Sequence, residues 1–308
     1  MNKKIKLKFW GVRGSVPCPG AETVRYGGNT ACLEIRFPEL DDRLLIIDAG
    51  SGLRSLGNQM MAKDFVQGPI DASIFLTHTH WDHIMGFPFF VPIYVPGNKL
   101  TIYGPVSYEE DTLQGIVGGQ LTYRYFPVRE AELAADINYV ELKEGRLDLG
   151  DGITLVTRYL NHPVLCLGYR IEFGGRVLCT AYDTEPYRNL FVTDPADPGY
   201  DAEMAREGEE VAADQNRLQQ DFFAGADLLI HDSQYTEKEY RVGKLGWGHS
   251  SFEHAIAVAR RAEVKRLALF HHDPERTDDQ LDQLAADYCG GQEGPDIFMA
   301  REGMEVEI

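Results

Sequence analysis

Seven residues, Thr77-His78-Thr79-His80-Trp81-Asp82-His83, restrict the architecture more than any other part of the chain. The run before them, Ala72-Ser73-Ile74-Phe75-Leu76, reads as a short buried strand. The apolar stretch after them, from Ile84, is soon broken by Gly86 and Pro88. Four ligand-type side chains therefore leave a strand end on a tight loop. Imidazole nitrogen and carboxylate oxygen suit a borderline divalent cation such as zinc. His78 and His80, two apart in an extended segment, point to one side. Asp82 and His83 reach a neighbouring position. One strand end can thus serve two cations about 3.5–4 Å apart, the spacing of two-metal hydrolases.

Most of the remaining histidines repeat the theme. His162 follows the strand-like run Ile153 to Leu160, and His231 ends Asp227-Leu228-Leu229-Ile230. Asp183 ends the run from Arg176 to Tyr182, and His271 and His272 end Arg266 to Phe270. Strands that deliver His or Asp at their C-terminal ends place those side chains on one rim of a sheet. His254 is the exception. It lies in a helical pattern from Ser250 to Val264 and reads as structural or solvated.

With these segments in view, the chain resembles the metallo-β-lactamase superfamily. The resemblance begins at Phe9-Trp10-Gly11-Val12-Arg13-Gly14-Ser15 and continues through Arg25-Tyr26-Gly27-Gly28-Asn29-Thr30 and Ile46-Ile47-Asp48-Ala49-Gly50-Ser51-Gly52. It then takes in the H-x-H-x-D-H loop, His162, Asp183 and His271. Asn161-His162-Pro163-Val164, His231-Asp232-Ser233 and Gly248-His249-Ser250-Ser251 narrow it to the phosphodiesterase branch that contains ribonuclease Z. The resemblance implies an α/β fold, a four-layer αββα sandwich of two similar halves with the site at one rim. It implies that His78, His80 and His162 hold one metal, that Asp82, His83 and His271 hold a second, and that Asp183 bridges them. Zinc is expected ahead of manganese. His272 rivals His271, which is preferred because it directly follows its strand. Tyr182 stands where the family usually has Gly, and Asp232 where this branch has Glu.

The implied chemistry is metal-assisted hydrolysis, in which two cations share and activate a water. Asp82 is the candidate acceptor of the water's proton. His249 is the candidate donor to the leaving group, with Asp232 orienting it; the alternative is that this segment only caps a helix through Ser250 or Ser251. Asp48, closing the strand Leu44–Ile47, either orients a ligand histidine or forms an Asx turn. Asn29 and Thr30 either approach the site or form a turn, and His231 and His272 are further candidates beside it. The expected substrate is a small phosphodiester such as a cyclic nucleotide. The alternatives are a tRNA 3′-processing endonuclease of ribonuclease Z type and a lactone or other ester hydrolase. Ribonuclease Z typically carries a tRNA-gripping arm between the positions of His162 and Asp183. Here Gly168–Phe173, the Gly174-Gly175 turn and Arg176–Ala181 fill that interval as a hairpin.

Composition bounds the rest. The 308 residues, 44% hydrophobic, can bury a large core, and one domain with an inserted helical segment at about 185–226 is expected. No apolar signal core follows Met1-Asn2-Lys3-Lys4, and Pro88 and Pro92 interrupt the most apolar stretch, so neither export nor a membrane partner is expected. Five cysteines without a C-x-x-C pair suit a reducing cytoplasm, with Cys166 and Cys179 as core residues. A formal charge of −18 opposes a polyanion footprint, so nucleic acid is disfavoured as a partner. Arg13, Arg25 and Arg188 form either a local basic patch or ordinary surface. Gly115, Gly118 and Gly119 suggest a flexible cover or plain turns. In the helical stretch from Asp201 to Phe223, the apolar stripe Met204, Val211, Leu218, Phe222 and Phe223 is expected to pack on the core; a lid or homodimer contact is the sharper reading.

Overall fold

Alternation in Lys6-Leu7-Lys8-Phe9 sends Leu7 and Phe9 inward and leaves the lysines outside, and this segment is the first strand. The computed structural model describes residues 3–107, 111–290 and 294–308; Met1 and Asn2 of the basic N-terminus lie outside the described residues. In chain order the strands are β1 Lys6–Gly11, β2 Cys32–Phe37, β3 Arg43–Ile47, β4 Asp71–Phe75, β5 Lys99–Pro105, β6 Asp136–Leu142 and β7 Gly145–Asp148. They continue as β8 Ile153–Leu160, β9 Cys166–Phe173, β10 Arg176–Ala181, β11 Leu228–Asp232, β12 Arg266–Phe270, β13 Asp296–Met299 and β14 Glu305–Glu307.

These form two seven-stranded sheets, ordered β14-β1-β2-β3-β4-β5-β6 and β13-β12-β11-β10-β9-β8-β7. In the first, β1 to β3 pair antiparallel and β3 to β6 parallel. The second repeats the scheme, with β7 to β10 antiparallel and β10 to β13 parallel. The sheets bury their inner faces against each other. Phe37 meets the Phe173 ring edge-on at 5.0 Å, and Phe75 meets Tyr169 at 5.8 Å. Each such side chain removed from water contributes about 1.5–3 kcal/mol.

The helices are α1 Leu53–Lys63, α2 Trp81–Ile84, α3 Leu113–Gly118, α4 Ala202–Phe223, α5 Glu237–Gly243, α6 Phe252–Arg261 and α7 Asp278–Tyr288. Leu53, Leu56 and Met60 of α1 and Leu113 of α3 cover the outer face of the first sheet. Phe223, Phe252 and Leu281 bring α4, α6 and α7 onto the second. The architecture is therefore the four-layer αββα sandwich. Among the described residues no helix is long and apolar enough to cross a membrane. Cys166 and Cys179 are buried and unpaired in β9 and β10.

Two expectations are corrected here. The α4 stripe does not pack as a core face: Met204, Val211 and Leu218 are 46%, 61% and 39% exposed. Asp201 caps this helix by accepting the Glu203 and Met204 N–H groups. Only its C-terminal turn reaches the apolar layer, through Phe223 and partly Phe222. Gly115 and Gly118 are not in turns: both lie inside α3, which Thr112 caps through Gly115 N–H, and Gly119 is its C-cap. The β9–β10 connection is the expected two-residue turn, with Gly174 and Gly175 both left-handed (φ +58° and +85°) between the paired Phe173 and Arg176.

Candidate active site

The C-terminal ends of the strands converge at one rim. The loop after β4 carries His78 and His80, and the single turn of α2 adds Asp82 and His83. His162 follows β8, Asp183 follows β10, and His271 follows β12. The second sheet grips the β4 loop directly. Leu167 N–H donates to the Thr77 carbonyl at 2.8 Å, and the Tyr169 hydroxyl donates to the Leu76 carbonyl at 2.5 Å.

Two four-residue donor sets result, His78, His80, His162 and Asp183, and Asp82, His83, Asp183 and His271, beside a three-residue group of Asp232, His249 and His271. Within each set the donor atoms lie within 4.8 Å of one another. Asp183 belongs to both four-residue sets and divides its oxygens between them. Its Oδ2 is 3.5 Å from His78 Nε2 and 3.8 Å from His162 Nε2. Its Oδ1 is 3.1 Å from both His83 Nε2 and His271 Nε2. Asp82 Oδ2 is 3.3 Å from the same two nitrogens. His162 Nε2 is 3.1 Å from His80 Nδ1. His78 Nε2, His83 Nε2 and Asp183 Oδ1 are buried without a hydrogen-bond partner, a costly state unless something else satisfies them. Five imidazoles and two carboxylates aimed at two shared points fit one divalent cation at each.

The outward ring nitrogens are held by the surrounding chain. His83 Nδ1 lies 2.7 Å from Asp48, which also accepts from Thr77 N–H at 2.7 Å and from the Thr77 hydroxyl at 2.8 Å. That hydroxyl sits 3.1 Å from His78 Nδ1. His162 Nδ1 lies 3.0 Å from the Gly248 carbonyl. In the tautomer these acceptors select, Nδ1 donates outward and Nε2 keeps its lone pair for a ligand. Ser15 N–H donates to Asp82 Oδ2 at 2.7 Å. Ser15, Asp48 and His271 all have left-handed backbones (φ +63°, +62° and +62°), a concentration of strain at the site. Burial alone would neutralise Asp183 and Asp82. The His271, His83 and His78 rings around Asp183, and His83 and His271 around Asp82, outweigh it and hold both far below the usual carboxylate range.

His249 and Asp232 stand beside the donor sets. His249 Nδ1 is 3.0 Å from Asp232 Oδ2 and 4.0 Å from Asp183 Oδ2, and its ring stacks on His271 at 5.0 Å. Asp232 Oδ2 also accepts from Ser250 N–H at 3.2 Å and Thr184 N–H at 3.3 Å. Burial disfavours a charged His249, but the Asp232 carboxylate and then Asp183 outweigh it and push the ring up to about 9. Capping of α6 falls to Ser251, whose hydroxyl accepts from His254 N–H at 3.1 Å.

Several sequence candidates lie elsewhere. His272 turns away, its Nε2 2.8 Å from the Ala300 carbonyl, because the left-handed backbone at His271 (φ +62°) redirects the chain after β12. His231 is buried on the helical side of β11 near Phe223 and His254, with Nδ1 on the Asp232 carbonyl. Asn29 bonds Glu302 and Ser51, and Thr30 bonds Ser51, so they shape a turn rather than reach the donors. Arg13 is neither basic patch nor surface; it is fully buried and donates to the Gly27, Asp273 and Arg276 carbonyls. Arg25 is paired with Asp279 and Asp282 on the surface. Arg188 lies against Gly246. The roles of Ser15, Thr77 and Gly248 escaped sequence reasoning because they depend on backbone atoms or a small hydroxyl. Only the glycine-rich setting of Ser15 and Gly248 hinted at close approach.

A family model described as beta-lactamase superfamily domain matches residues 43–191. The chain is 28% identical over 338 residues to Ribonuclease Z of Thermoplasma acidophilum, covering 100% of this chain and 98% of that one. It is 28% identical over 305 residues to Ribonuclease Z of Thermoplasma volcanium, covering 90% of each. The crystal structure of the metallo-beta-lactamase fold protein YhfI from Bacillus subtilis matches with a TM-score of 0.62 at 20% identity over 99% of both chains. The two Thermoplasma relatives bear a name attached to RNA cleavage, which runs against the charge argument that disfavours a nucleic-acid partner. Residues 43–191 thus match the beta-lactamase superfamily domain, and the chain as a whole has the metallo-β-lactamase fold.

Proposed function

We propose that the chain is a binuclear, metal-dependent phosphodiesterase, with an RNA phosphodiester cleaved in the ribonuclease Z manner as its favoured substrate. The observation that carries the hydrolytic reading is the split of Asp183 between two buried donor sets, with the His249–Asp232 pair alongside. The choice of RNA over a cyclic nucleotide rests on the relatives named Ribonuclease Z. His78, His80 and His162 would hold one ion, Asp82, His83 and His271 the other, and Asp183 both, with zinc ahead of manganese for so imidazole-rich a set. Bound divalent ions supply Lewis-acid activation of water and neutralise charge at the phosphoryl oxygens.

The chain's own residues do the proton work. Asp82, fixed by Ser15 N–H, accepts the proton of the attacking water. His249 is held at Nδ1 by Asp232, so Nε2 carries the proton for the leaving oxygen. His249→Ala should keep both ions and lose about 10²–10⁴-fold in turnover on a poor leaving group. The loss should shrink on a p-nitrophenyl diester, whose leaving group needs little protonation. Equal losses on both would assign His249 a binding or structural role.

A small diester such as a cyclic nucleotide is the second reading. The tight β9–β10 hairpin favours it, since between His162 and Asp183 the chain forms no long arm. Metal-loaded protein offered precursor tRNA and cyclic nucleotides decides between them. Site-specific trimming of the tRNA supports the first; turnover confined to the cyclic nucleotide supports the second. Turnover of lactones alone would overturn both.

A further inference from the structure

The loop that delivers His249 also carries a cation that the hydrolytic chemistry leaves without a task. Beyond α5, the chain turns through Gly246 and Gly248, both left-handed (φ +83° and +81°), to reach His249. Lys244 opens this loop. Its Nζ sits 4.0 Å from the centre of the Trp247 ring and 5.1 Å from that of Tyr235. Tyr235 is buried, and its ring lies 6.2 Å from the His249 ring, edge-on. His249, Tyr235 and Lys244 thus form a row leading outward from the donor sets.

Tyr235 and Lys244 line a cleft of about 170 Å³ together with Glu239, Asp273, Glu275 and Arg276. The Glu239 carboxylate is taken by Arg276 and by Thr236. Lys244 has aromatic neighbours but, among the described residues, no ion-pair partner. What sets Lys244 apart is its place: it stands over two aromatic rings, one of which, Tyr235, packs against His249. Ring faces hold an ammonium in place without neutralising it, so its charge stays available to an incoming anion. Trp247, 55% exposed, keeps the position open to solvent.

We infer that Lys244 binds a second phosphate, carried by the leaving-group portion of the substrate. This rests on the phosphodiesterase reading: His249 donates to the leaving oxygen, so the row on its outer side runs along the leaving group. A lysine suits this task as a point charge for phosphate. The substrate class is then a diester whose leaving nucleoside is itself phosphorylated, whether by a terminal phosphate or by the next link of a polynucleotide.

The test compares wild-type protein, Lys244→Ala and Lys244→Arg, all metal-loaded, on UpU, pUpU, UpUp and the trinucleotide UpUpU. The products of UpU identify the nucleoside that leaves. Lys244→Ala should raise KM about tenfold to hundredfold on the probe whose leaving nucleoside carries the added phosphate, the range for losing a hydrogen bond between charged groups. On UpU and on the oppositely phosphorylated probe KM should change less than about twofold, and kcat should hold throughout. Lys244→Arg should keep the low KM. A matching penalty on UpUpU points to a polynucleotide as the source of the phosphate; a penalty on the terminal phosphate alone points to a phosphorylated nucleotide. Either pattern supports the inference. An unchanged KM on every probe, or an equal rise on UpU, overturns it. Wild-type protein that cleaves none of the four overturns the phosphodiesterase reading itself, whatever the variants do.

Discussion

Gly248→Ala should disable the site while leaving most of the fold intact. Two costs can be read from the geometry. Gly248 has φ +81°, and a left-handed backbone costs an L-residue about 1–2 kcal/mol. The added Cβ would stand 2.5 Å from Pro163 Cδ and 2.9 Å from His162 Cε1, and closer still to His162 Nδ1. Restoring ordinary van der Waals separation requires a shift of about 1 Å. If His162 yields, it loses the Gly248 carbonyl that orients its ring, and affinity for the first metal should fall about 10–100-fold. If the loop yields, His249 moves, and a misplacement of about 1 Å can cost 10²-fold in rate. Either way turnover should fall about 10²-fold. Gly175→Ala is the control. It is also left-handed, at φ +85°, but its Cβ would meet nothing within 4 Å, so it should lose similar stability and no activity. Thermal denaturation, metal retention against a chelator and steady-state turnover measure the three quantities. A Gly248→Ala protein with wild-type metal affinity and wild-type turnover would refute the reasoning.

Elemental analysis should find close to two divalent ions per chain. Asp183→Ala should lower occupancy of both sites, and Asp82→Ala mainly the second; independent loss in Asp183→Ala would remove the bridge. Asp48→Asn keeps the shape but puts an N–H donor among the Thr77 and His83 donors, so chelator competition should show the second ion weakened about 10–100-fold with the first retained. Asp227 accepts from Val177 N–H and Lys265. Burial works against its charge, but Lys265, the Val177 N–H and Arg176 outweigh it and hold the carboxyl below its usual value. Its stabilisation is therefore complete above the ordinary carboxylate value of about 3.9 and is lost as pH falls through the lower folded value. The denaturation gap between wild type and Asp227→Asn should accordingly be full at neutral pH and close below about pH 4; a gap that widens in acid would contradict this.

The strand ends were legible because each announced itself twice, by an apolar run and by the histidine or aspartate that stopped it. Ile153–Leu160 and Arg266–Phe270 were read to the residue. His272 shows where the reading ran out: two adjacent histidines carry equal chemical promise, and only the left-handed turn at His271 decides which one faces inward. Arg13 misled because guanidinium groups are usually solvated, and nothing local reveals three carbonyls brought together from residues 27, 273 and 276. Met204, Val211 and Leu218 share a helical face, but periodicity cannot say whether a partner layer extends far enough to cover it. The hydrogen-bond ring around Asp48 was half legible, since its carboxylate was foreseen beside a ligand histidine but Thr77 was not.

The pairing of β14 with β1 sets an order for assembly on the ribosome. Leu7 lies opposite Val306, so the outer edge of β1 stays open until a strand about 300 residues further along the chain has been made. Until then that edge of the first sheet is an open template for stray strands. Its lysines, Lys6 and Lys8, put charge beside it through that interval, and once β14 arrives Lys8 pairs with Glu305 at 3.2 Å. The same lysines thus act as gatekeepers against aggregation during synthesis and as ordinary cross-strand partners afterwards.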